Sequence, residues 1–202
     1  MEKKIITISR EFGSGGRSIG REVAQKLGIP FYDKELVDQI AMESGFAPQF
    51  VEEHGEHSPG KSFLSYAFAP QGVPGVMNGM SAADFLWNIQ CSVILQLADK
   101  GPCVIVGRNA DYILKEYDHC LRVFVHADRS WRLLRLRKQM PDVSLSVLES
   151  EMDTADRARR TYCEKMTGRS YGDCRNYDLT LCVSSLGMEK AYQLLKESAE
   201  IV

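Results

Sequence analysis

The sequence lacks the features that define several broad classes of protein. No apolar run approaches the ~20 residues that a helix needs to span a membrane. The six cysteines include no CxxC pair and no zinc-like spacing, and a chain of 202 residues needs no disulfides to fold. Nothing at the amino terminus resembles a signal peptide. We therefore expect a cytoplasmic protein with reduced thiols and no membrane partner.

A surplus of positive charge is missing as well. The formal net charge is −2 at pH 7, whereas sequence-independent binding to nucleic acid needs an excess of lysine and arginine. Hydrophobic residues make up 44% of the chain and charged residues 26%, which is ordinary for a compact globular protein. These values predict a single domain over residues 1–202 that binds small molecules and not nucleic acid.

Short apolar strands alternate with helical periodicity along the chain. Each predicted strand is too short for a helix and is bounded by polar residues, glycine or proline. The five predicted strands cover residues 5–8, 30–32, 103–106, 121–125 and 179–183. Alternation of this kind predicts a three-layer α/β/α fold, in which helices cover both faces of a five-stranded parallel sheet. Ligands of such folds bind at the carboxyl ends of the strands.

Two longer regions stand out from this alternation. In residues 46–80 the periodicity fades, and four of the seven prolines fall there together with several glycines, so we expect a segment that covers a substrate. Regular periodicity returns at Ser81, a predicted N-cap with Asp84 at the third helical position. Residues 129–172 are predicted to be helical and are rich in arginine. In a protein of net negative charge, this concentration of arginine favours an anionic ligand.

A glycine-rich loop follows the first predicted strand and precedes the first predicted helix. Glycine permits backbone conformations that are closed to other residues, and it lets N–H groups approach phosphate oxygens. The helix that follows directs the positive end of its dipole at the same anion. We predict that the loop binds the phosphates of ATP through six consecutive residues, Gly13, Ser14, Gly15, Gly16, Arg17 and Ser18.

The last two of these residues have separate predicted roles. Set against the pattern GxxxxGK[ST], residues 11–18 carry Glu11 in place of the first glycine and Arg17 in place of the lysine. Arg17 can neutralise phosphate charge with forked contacts and is predicted to be catalytic. Ser18 is predicted to bind Mg²⁺, with a simple helix cap as the alternative. A dinucleotide-binding turn is the alternative interpretation of the loop, but the third glycine of that fingerprint is missing.

Four segments of the chain carry specific sequence patterns. They are residues 8–17 (ISREFGSGGR), 31–36 (FYDKEL), 106–111 (VGRNAD) and 177–179 (YDL). Together they resemble the cytidylate kinase-like family, relatives of bacterial cytidylate kinase among the nucleoside monophosphate kinases. The resemblance implies a P-loop kinase fold with a substrate-binding insertion and a helical lid over ATP. On this chain the insertion corresponds to residues 33–80 and the lid to residues 129–172.

The resemblance also implies roles for individual residues. A Gly-Arg pair after the third strand handles the acceptor nucleotide in the family, and this role carries over to Arg108. The family's lid has two aspartates three residues apart followed by arginines, which Asp153, Asp156, Arg157 and Arg159 match. At helical spacing such carboxylates can orient guanidinium groups toward phosphate. We predict that Arg157 and Arg159 are catalytic and that four residues bind substrate: Asp33, Arg108, Asp111 and Asp156.

Three departures from the family concern the acceptor. Met152 stands where the lid carries an arginine, Val106 stands where an acidic residue precedes Gly-Arg, and residues 34–37 replace a small-residue segment with its arginine. The resemblance implies transfer of a phosphoryl group from ATP, with Mg²⁺, to CMP or dCMP. The departures leave open a kinase of another small acceptor. A nucleotide-binding regulatory protein without turnover is a further alternative, which Glu11 and Val106 favour.

Overall fold

The five predicted strands form one parallel sheet. The structure, a computed structural model, describes residues 5–54 and 80–201. Within these residues the strand order is β2-β3-β1-β4-β5, and all neighbouring strands are parallel. The strands are β1 (Ile5–Arg10), β2 (Phe31–Tyr32), β3 (Cys103–Val106), β4 (Cys120–His126) and β5 (Leu179–Cys182). Each strand overlaps its predicted range, so the predicted five-stranded α/β fold is confirmed.

Most of the helices lie where the periodicity predicts them, whereas the short helices at Pro48–His54 and Val183–Leu186 do not. The predicted N-cap is confirmed, since Ser81 Oγ accepts a hydrogen bond from the N–H of Asp84 at 3.1 Å. The helices of the described residues are α1 (Gly16–Leu27), α2 (Lys34–Ser44), α3 (Pro48–His54), α4 (Ala82–Lys100), α5 (Ala110–Ile113), α6 (Arg129–Gln139), α7 (Leu145–Thr167), α8 (Val183–Leu186) and α9 (Met188–Ile201).

The sheet separates two layers of buried apolar side chains. On one face, Ile6 and Ile8 of β1 pack with Val23 of α1 and Leu195 of α9. On the other face, Ile5 of β1 belongs to a cluster with residues of α2 and α4. Because side chains of a strand point alternately to its two faces, a strand that is apolar throughout must be covered on both sides. The three predicted layers follow from this pattern.

The arginine-rich residues 129–172 were predicted as one helical segment, but in the structure this segment is interrupted. It contains two helices, α6 and α7, and Pro141 lies in the break between them. Leu136, Leu148 and Met152 form a small buried cluster between the two helices, with Phe12 packed against it. Met152 is fully buried. This explains the departure from the family at Met152, because an arginine there would bring its charge into an apolar cluster.

The predicted acceptor-binding segment, residues 33–80, is described only in part. Its described portion consists of α2, α3 and the residues around them, and the remainder lies outside the described residues. Across the parts of the chain that are described, no helix combines the length and the apolar character that crossing a membrane requires.

The carboxyl ends of the strands meet at one edge of the sheet. Ile8 of β1 is in register with Val106 of β3, and Arg10 is in register with Val125 of β4. The backbone carbonyl of Ile8 accepts a hydrogen bond from Gly107 at 2.9 Å. The glycine loop after β1 therefore begins beside the Gly-Arg pair that follows β3.

Candidate active site

The glycine loop adopts a backbone that only glycine accommodates easily. Gly13 has φ 78° and Gly15 has φ 92°, both in the left-handed region. A Cβ atom on Gly15 would lie 2.6 Å from Sδ of Met188. The first turn of the loop is closed by a 3.3 Å hydrogen bond from the N–H of Ser14 to the carbonyl of Glu11. The sequence therefore requires glycine at these positions for both conformation and space.

The amino terminus of α1 carries no acidic residue of its own. Its N-cap, Gly15, offers no side chain, and its first turn contains no acidic residue. The hydroxyl of Ser14 is buried and has no hydrogen-bond partner among the described residues. Helix termini with unsatisfied N–H groups and a positive dipole end bind anions. The loop and α1 thus fit the phosphates of a nucleotide.

A cavity of about 1040 Å³ lies in front of the loop. It touches the ends of β1 and β3 at Arg10 and Val106, and the start of α2 at Lys34. Among the described residues, eight cationic and four acidic side chains line it, although the whole chain carries a net charge of −2. This local surplus of positive charge favours a polyanionic ligand.

Arg17 and Asp33 form an ion pair inside this cavity. The Nε atom of Arg17, in the first turn of α1, contacts Oδ2 of Asp33, the residue that follows β2. The Arg17 side chain is 46% exposed, whereas that of Asp33 is 13% exposed. Asp33 is also the N-cap residue of α2, as predicted, but its side chain makes no capping hydrogen bond. The pair joins a residue predicted for the donor phosphates to one predicted for the acceptor.

Ser18 has a different partner from the predicted metal ion. Its Oγ accepts a 2.9 Å hydrogen bond from Nη2 of Arg135, which lies on α6. Burial lowers the pKa of the Arg135 guanidinium from its usual value. A divalent cation on Ser18 would lie beside this guanidinium, and like charges at that distance repel. In the described residues, no three His, Cys, Asp or Glu side chains group in a way that could hold a metal. The Ser18 hydroxyl is thus bonded to Arg135, and its role as a Mg²⁺ ligand stays a prediction.

Arg108 is held in a strained backbone at the edge of the cavity. Arg108 and Asn109 have φ values of 59° and 52°, which cost energy for residues other than glycine and are often found at functional sites. The backbone carbonyl of Arg108 accepts a 2.8 Å hydrogen bond from Nε2 of Gln90. The Arg108 side chain donates a second hydrogen bond, from Nη1 to the carbonyl of Val51, at 3.0 Å. The side chain thus links the end of β3 to α3 in the acceptor-binding segment.

Asp156 and Arg132 hold the loop at Phe12. Asp156 Oδ1 accepts from the N–H of Phe12 at 2.7 Å, and Arg132 Nη1 donates to the Phe12 carbonyl at 3.1 Å. The two side chains also bond to each other at 2.5 Å. Arg132 is only 7% exposed, so its charge depends on these partners. Asp156 was predicted to bind substrate, and in the structure its carboxylate supports the glycine loop.

Two further side chains fix the end of β1. Nη1 of Arg159 donates to the carbonyl of Arg10 at 3.1 Å, and the guanidinium lies 5.8 Å from the centre of the Phe12 ring. The hydroxyl of Tyr171 donates to the same carbonyl at 2.8 Å. Arg159 therefore lines the cavity while it also stabilises the start of the loop.

Glu11, which replaces the first glycine of the phosphate-loop pattern, has a structural contact. Its carboxylate accepts a 3.2 Å hydrogen bond from the N–H of Ala127 and lies 3.5 Å from Nε of Arg132. These contacts tie the loop to the segment between β4 and α6. Glu11 therefore has a structural role at the position that the first glycine holds in the pattern.

The structure brings most of the predicted site residues together. Of these, eight line the cavity: Gly13, Gly15, Gly16, Arg17, Ser18, Asp33, Arg108 and Arg159. Ser14, Asp111, Asp156 and Arg157 do not line it. Asp111 is buried and accepts a 3.1 Å hydrogen bond from Ser9 Oγ, and Arg157 is exposed. The roles predicted for these residues remain predictions.

Sequence reasoning missed three residues of the site. Arg132 and Arg135 were only two among many arginines, and the spacing gave no sign of which ones meet the loop. The lid aspartates were expected to orient arginines of their own helix. Asp156 does pair with an arginine of its own helix, since its Oδ1 lies 3.6 Å from Nη1 of Arg159. Its closer partner is Arg132, however, and Asp153 pairs with Arg129, and both of these arginines are on α6. Tyr171 gave no signal, because its contact joins residues that are 161 positions apart.

Comparisons with known proteins agree with this geometry. A family model described as the cytidylate kinase-like family matches residues 5–185. An uncharacterized protein from Eubacterium ventriosum ATCC 27560 superposes with a TM-score of 0.73 at 22% identity, over 98% of this chain and 99% of that one. Shikimate kinase from Bacteroides thetaiotaomicron has a TM-score of 0.54 at 15% identity, over 98% of each chain. A gluconokinase from Sinorhizobium meliloti 1021 has a TM-score of 0.50 at 17% identity, over 98% of this chain and 95% of that one.

The likenesses to solved structures show the fold. A comparison with curated proteins finds no significant match.

The contacts at Phe12 predict a difference in stability between two aspartates of α7. Replacing Asp156 with alanine should cost about 3 kcal/mol of unfolding free energy, the lower end for breaking a buried pair, because it removes the closer of the two carboxylates beside the buried Arg132 and leaves Glu11. Asp153→Ala is the matched control, since Asp153 lies one turn earlier and pairs with the half-exposed Arg129. We expect little change from this control, as is usual for exposed ion pairs. Denaturant unfolding measures both, and equal midpoints for the two variants would contradict the role given to Asp156.

Proposed function

Because the chain belongs to the cytidylate kinase-like family, we propose that it transfers the γ-phosphoryl group of ATP to a nucleoside monophosphate, most favourably CMP or dCMP. The observation that carries this proposal is the cation-lined cavity, which has the glycine loop on one side and Arg108 with Asp33 on another. A donor polyphosphate and an acceptor phosphate could both find positive charge there. Phosphoryl transfer depends mainly on such positioning and charge, and needs no strong general base.

In the proposed reaction, the loop N–H groups and Arg17 hold the terminal phosphates of ATP. Arg159 lies at the same cavity and offers charge to the transferring group, and Arg157 reaches it only by moving, because it is exposed and outside the lining. Mg²⁺ would accompany the nucleotide and neutralise part of its charge. Arg108 binds the phosphate of the acceptor. When Arg17 turns to a phosphate, Asp33 loses its ion-pair partner and becomes available to the acceptor.

A second candidate is a kinase that phosphorylates a hydroxyl group of another small molecule. The observation that favours it is the placement of Asp33, whose carboxylate lines the cavity. A carboxylate accepts a hydrogen bond from a hydroxyl group but repels a phosphate. Arg108, in contrast, is 3% exposed and uses Nη1 on a backbone carbonyl. A nucleotide-binding protein without turnover has less support, because the contacts of Glu11 account for its departure from the phosphate-loop pattern.

Coupled ADP release across a panel of acceptors tests the proposed function. We expect CMP or dCMP to be the best of the common monophosphates, with kcat/KM below the usual range of roughly 10⁴–10⁸ M⁻¹s⁻¹. The reason is that Val106, Met152 and Lys34 remove contacts that the family resemblance implies, and each lost polar contact weakens discrimination about tenfold to a hundredfold. If all monophosphates are inert and a hydroxyl acceptor turns over, the second candidate replaces the first. ATP binding without any turnover would contradict both.

Arg17 offers a test of the donor side. Arg17→Ala should lower kcat/KM roughly 100-fold, the scale of removing one preorganised charge contact from a developing anion. Arg17→Lys should lose less, since lysine keeps the charge but not the forked geometry. Thermal unfolding of each variant, alongside steady-state kinetics, separates loss of function from loss of fold. Near wild-type kcat/KM in Arg17→Ala would show that Arg17 is a surface residue that pairs with Asp33 and takes no part in the reaction.

A further inference from the structure

Arg135 of α6 lies along the first turn of α1, beside the glycine loop. Its Nη2 atom donates to Ser18 Oγ at 2.9 Å, and its Nη1 atom donates to Oε1 of Gln139 at 3.1 Å. Its Nε atom is 3.7 Å from the point that a Cβ atom on Gly15 would occupy. The guanidinium therefore spans the amino terminus of α1 from the N-cap to the third helical residue.

The charge of Arg135 is not balanced by the protein around it. Both of its hydrogen-bond partners are neutral, and no carboxylate in residues 5–54 or 80–201 forms an ion pair with it. Partial burial disfavours its charged form and lowers its pKa. The neighbouring cations differ in this respect, since Arg17 pairs with Asp33 and Arg132 pairs with Asp156. A half-buried guanidinium with only neutral partners is a binding group for an anion.

The surroundings of Arg135 point to the same conclusion. The amino terminus of α1 carries the positive end of the helix dipole and has no acidic residue in its first turn. A cation placed there is unfavourable unless an anion is bound between the two. The buried hydroxyl of Ser14 in the same loop has no partner within the described part of the chain. The helix terminus therefore favours an acceptor-rich group at this position, whereas the Ser14 hydroxyl lies in the same loop but does not line the cavity.

We propose that Arg135 binds the terminal phosphates of the nucleotide donor, so that a guanidinium, and not a metal ion held by Ser18, supplies the positive charge at this side of the loop. The inference rests on the proposed function, since it takes the donor to be a nucleoside triphosphate. It gives Ser18 the role of positioning Arg135 through its hydroxyl. Phosphate oxygens, unlike Ser18 Oγ, carry charge and accept forked contacts from guanidinium, so they are the stronger partners.

Equilibrium binding of ATP, ADP and AMP, measured by titration calorimetry, tests the proposal. Arg135→Gln should weaken ATP binding about tenfold or more, the scale of one charged hydrogen bond. The affinity of Arg135→Gln for AMP should stay within about twofold of the wild-type affinity, because AMP lacks the terminal phosphates. The matched control is Arg137→Gln on the same helix, since Arg137 is exposed, bonds the carbonyl of Val143 and does not line the cavity. We expect the control to bind all three nucleotides like the wild type.

A second variant separates the guanidinium from the metal ion. Ser18→Ala should weaken ATP binding by the same factor with Mg²⁺ and with a chelator, because in this proposal Ser18 acts through Arg135 and is not a metal ligand. A loss of about tenfold that appears only with Mg²⁺ would show that Ser18 binds the metal, and would overturn the proposal.

The remaining outcomes are also distinct. If Arg135→Gln binds ATP as the wild type does, or if ATP, ADP and AMP weaken equally, Arg135 serves only to join α6 to α1 and the proposal fails. Arg135→Lys, which keeps the charge, replaces Arg135→Gln if the latter does not fold, and should bind ATP less tightly than wild type but bind AMP equally. If the wild-type protein binds no ATP, it is the proposed function that fails.

Discussion

Both backbone groups of Phe12 are bonded to a single pair of side chains, Asp156 and Arg132. The Asp156 carboxylate accepts a hydrogen bond from the N–H of Phe12 at 2.7 Å, and the Arg132 guanidinium donates to the Phe12 carbonyl at 3.1 Å. Arg132 also donates to Asp156 at 2.5 Å. A loop with left-handed glycines has many accessible conformations, and selecting one of them costs entropy. These three hydrogen bonds select one at the residue before Gly13. They also connect the loop to α6 and α7, so the geometry of the phosphate site depends on the arginine-rich helices.

The same helices set the electrostatics of the cavity. The protein pairs Arg17, Arg129 and Arg132 with carboxylates, but Arg135 is left with neutral partners near the positive end of α1. With eight cations and four acids in its described lining, the cavity accumulates positive charge in a chain whose net charge is −2. Mutual repulsion among these cations destabilises the folded protein by itself, and a bound anion relieves it. Binding and stability should therefore be coupled at this site.

The fold was predictable because its signals are local. In β1 the apolar run of residues 5–8 is followed by glycines and then by helical periodicity, so strand, loop and helix each have a signature within a few residues. Ser81 and Asp84 form a cap that depends only on their own spacing. The partners of charged residues are not local in this sense. Arg135 and Ser18 are 117 positions apart, and which arginine reaches the loop is decided by the packing of Leu136 and Met152 against Phe12.

Family resemblance and structure also differ in what they supply. The resemblance identified Arg108 and Arg159, which line the cavity. It did not separate Arg159 from Arg157, because both fit the lid pattern, whereas in the structure only Arg159 faces inward to the carbonyl of Arg10. It predicted no partner for Glu11, and only the structure shows that the Glu11 carboxylate contacts the N–H of Ala127 and the guanidinium of Arg132. Contacts such as these depend on how distant elements pack, so single-sequence reasoning could not provide them.

Hydrogen exchange of the backbone amides in residues 11–19 measures most directly whether the glycine loop takes the phosphates of a nucleotide. We expect saturating Mg·ATP to slow exchange in this segment, because the loop N–H groups would donate to phosphate oxygens and the opening of the loop would become less favourable. AMP should protect the segment much less than ATP. Unchanged exchange in residues 11–19, with ATP-dependent protection confined to other parts of the chain, would contradict a donor site at this loop.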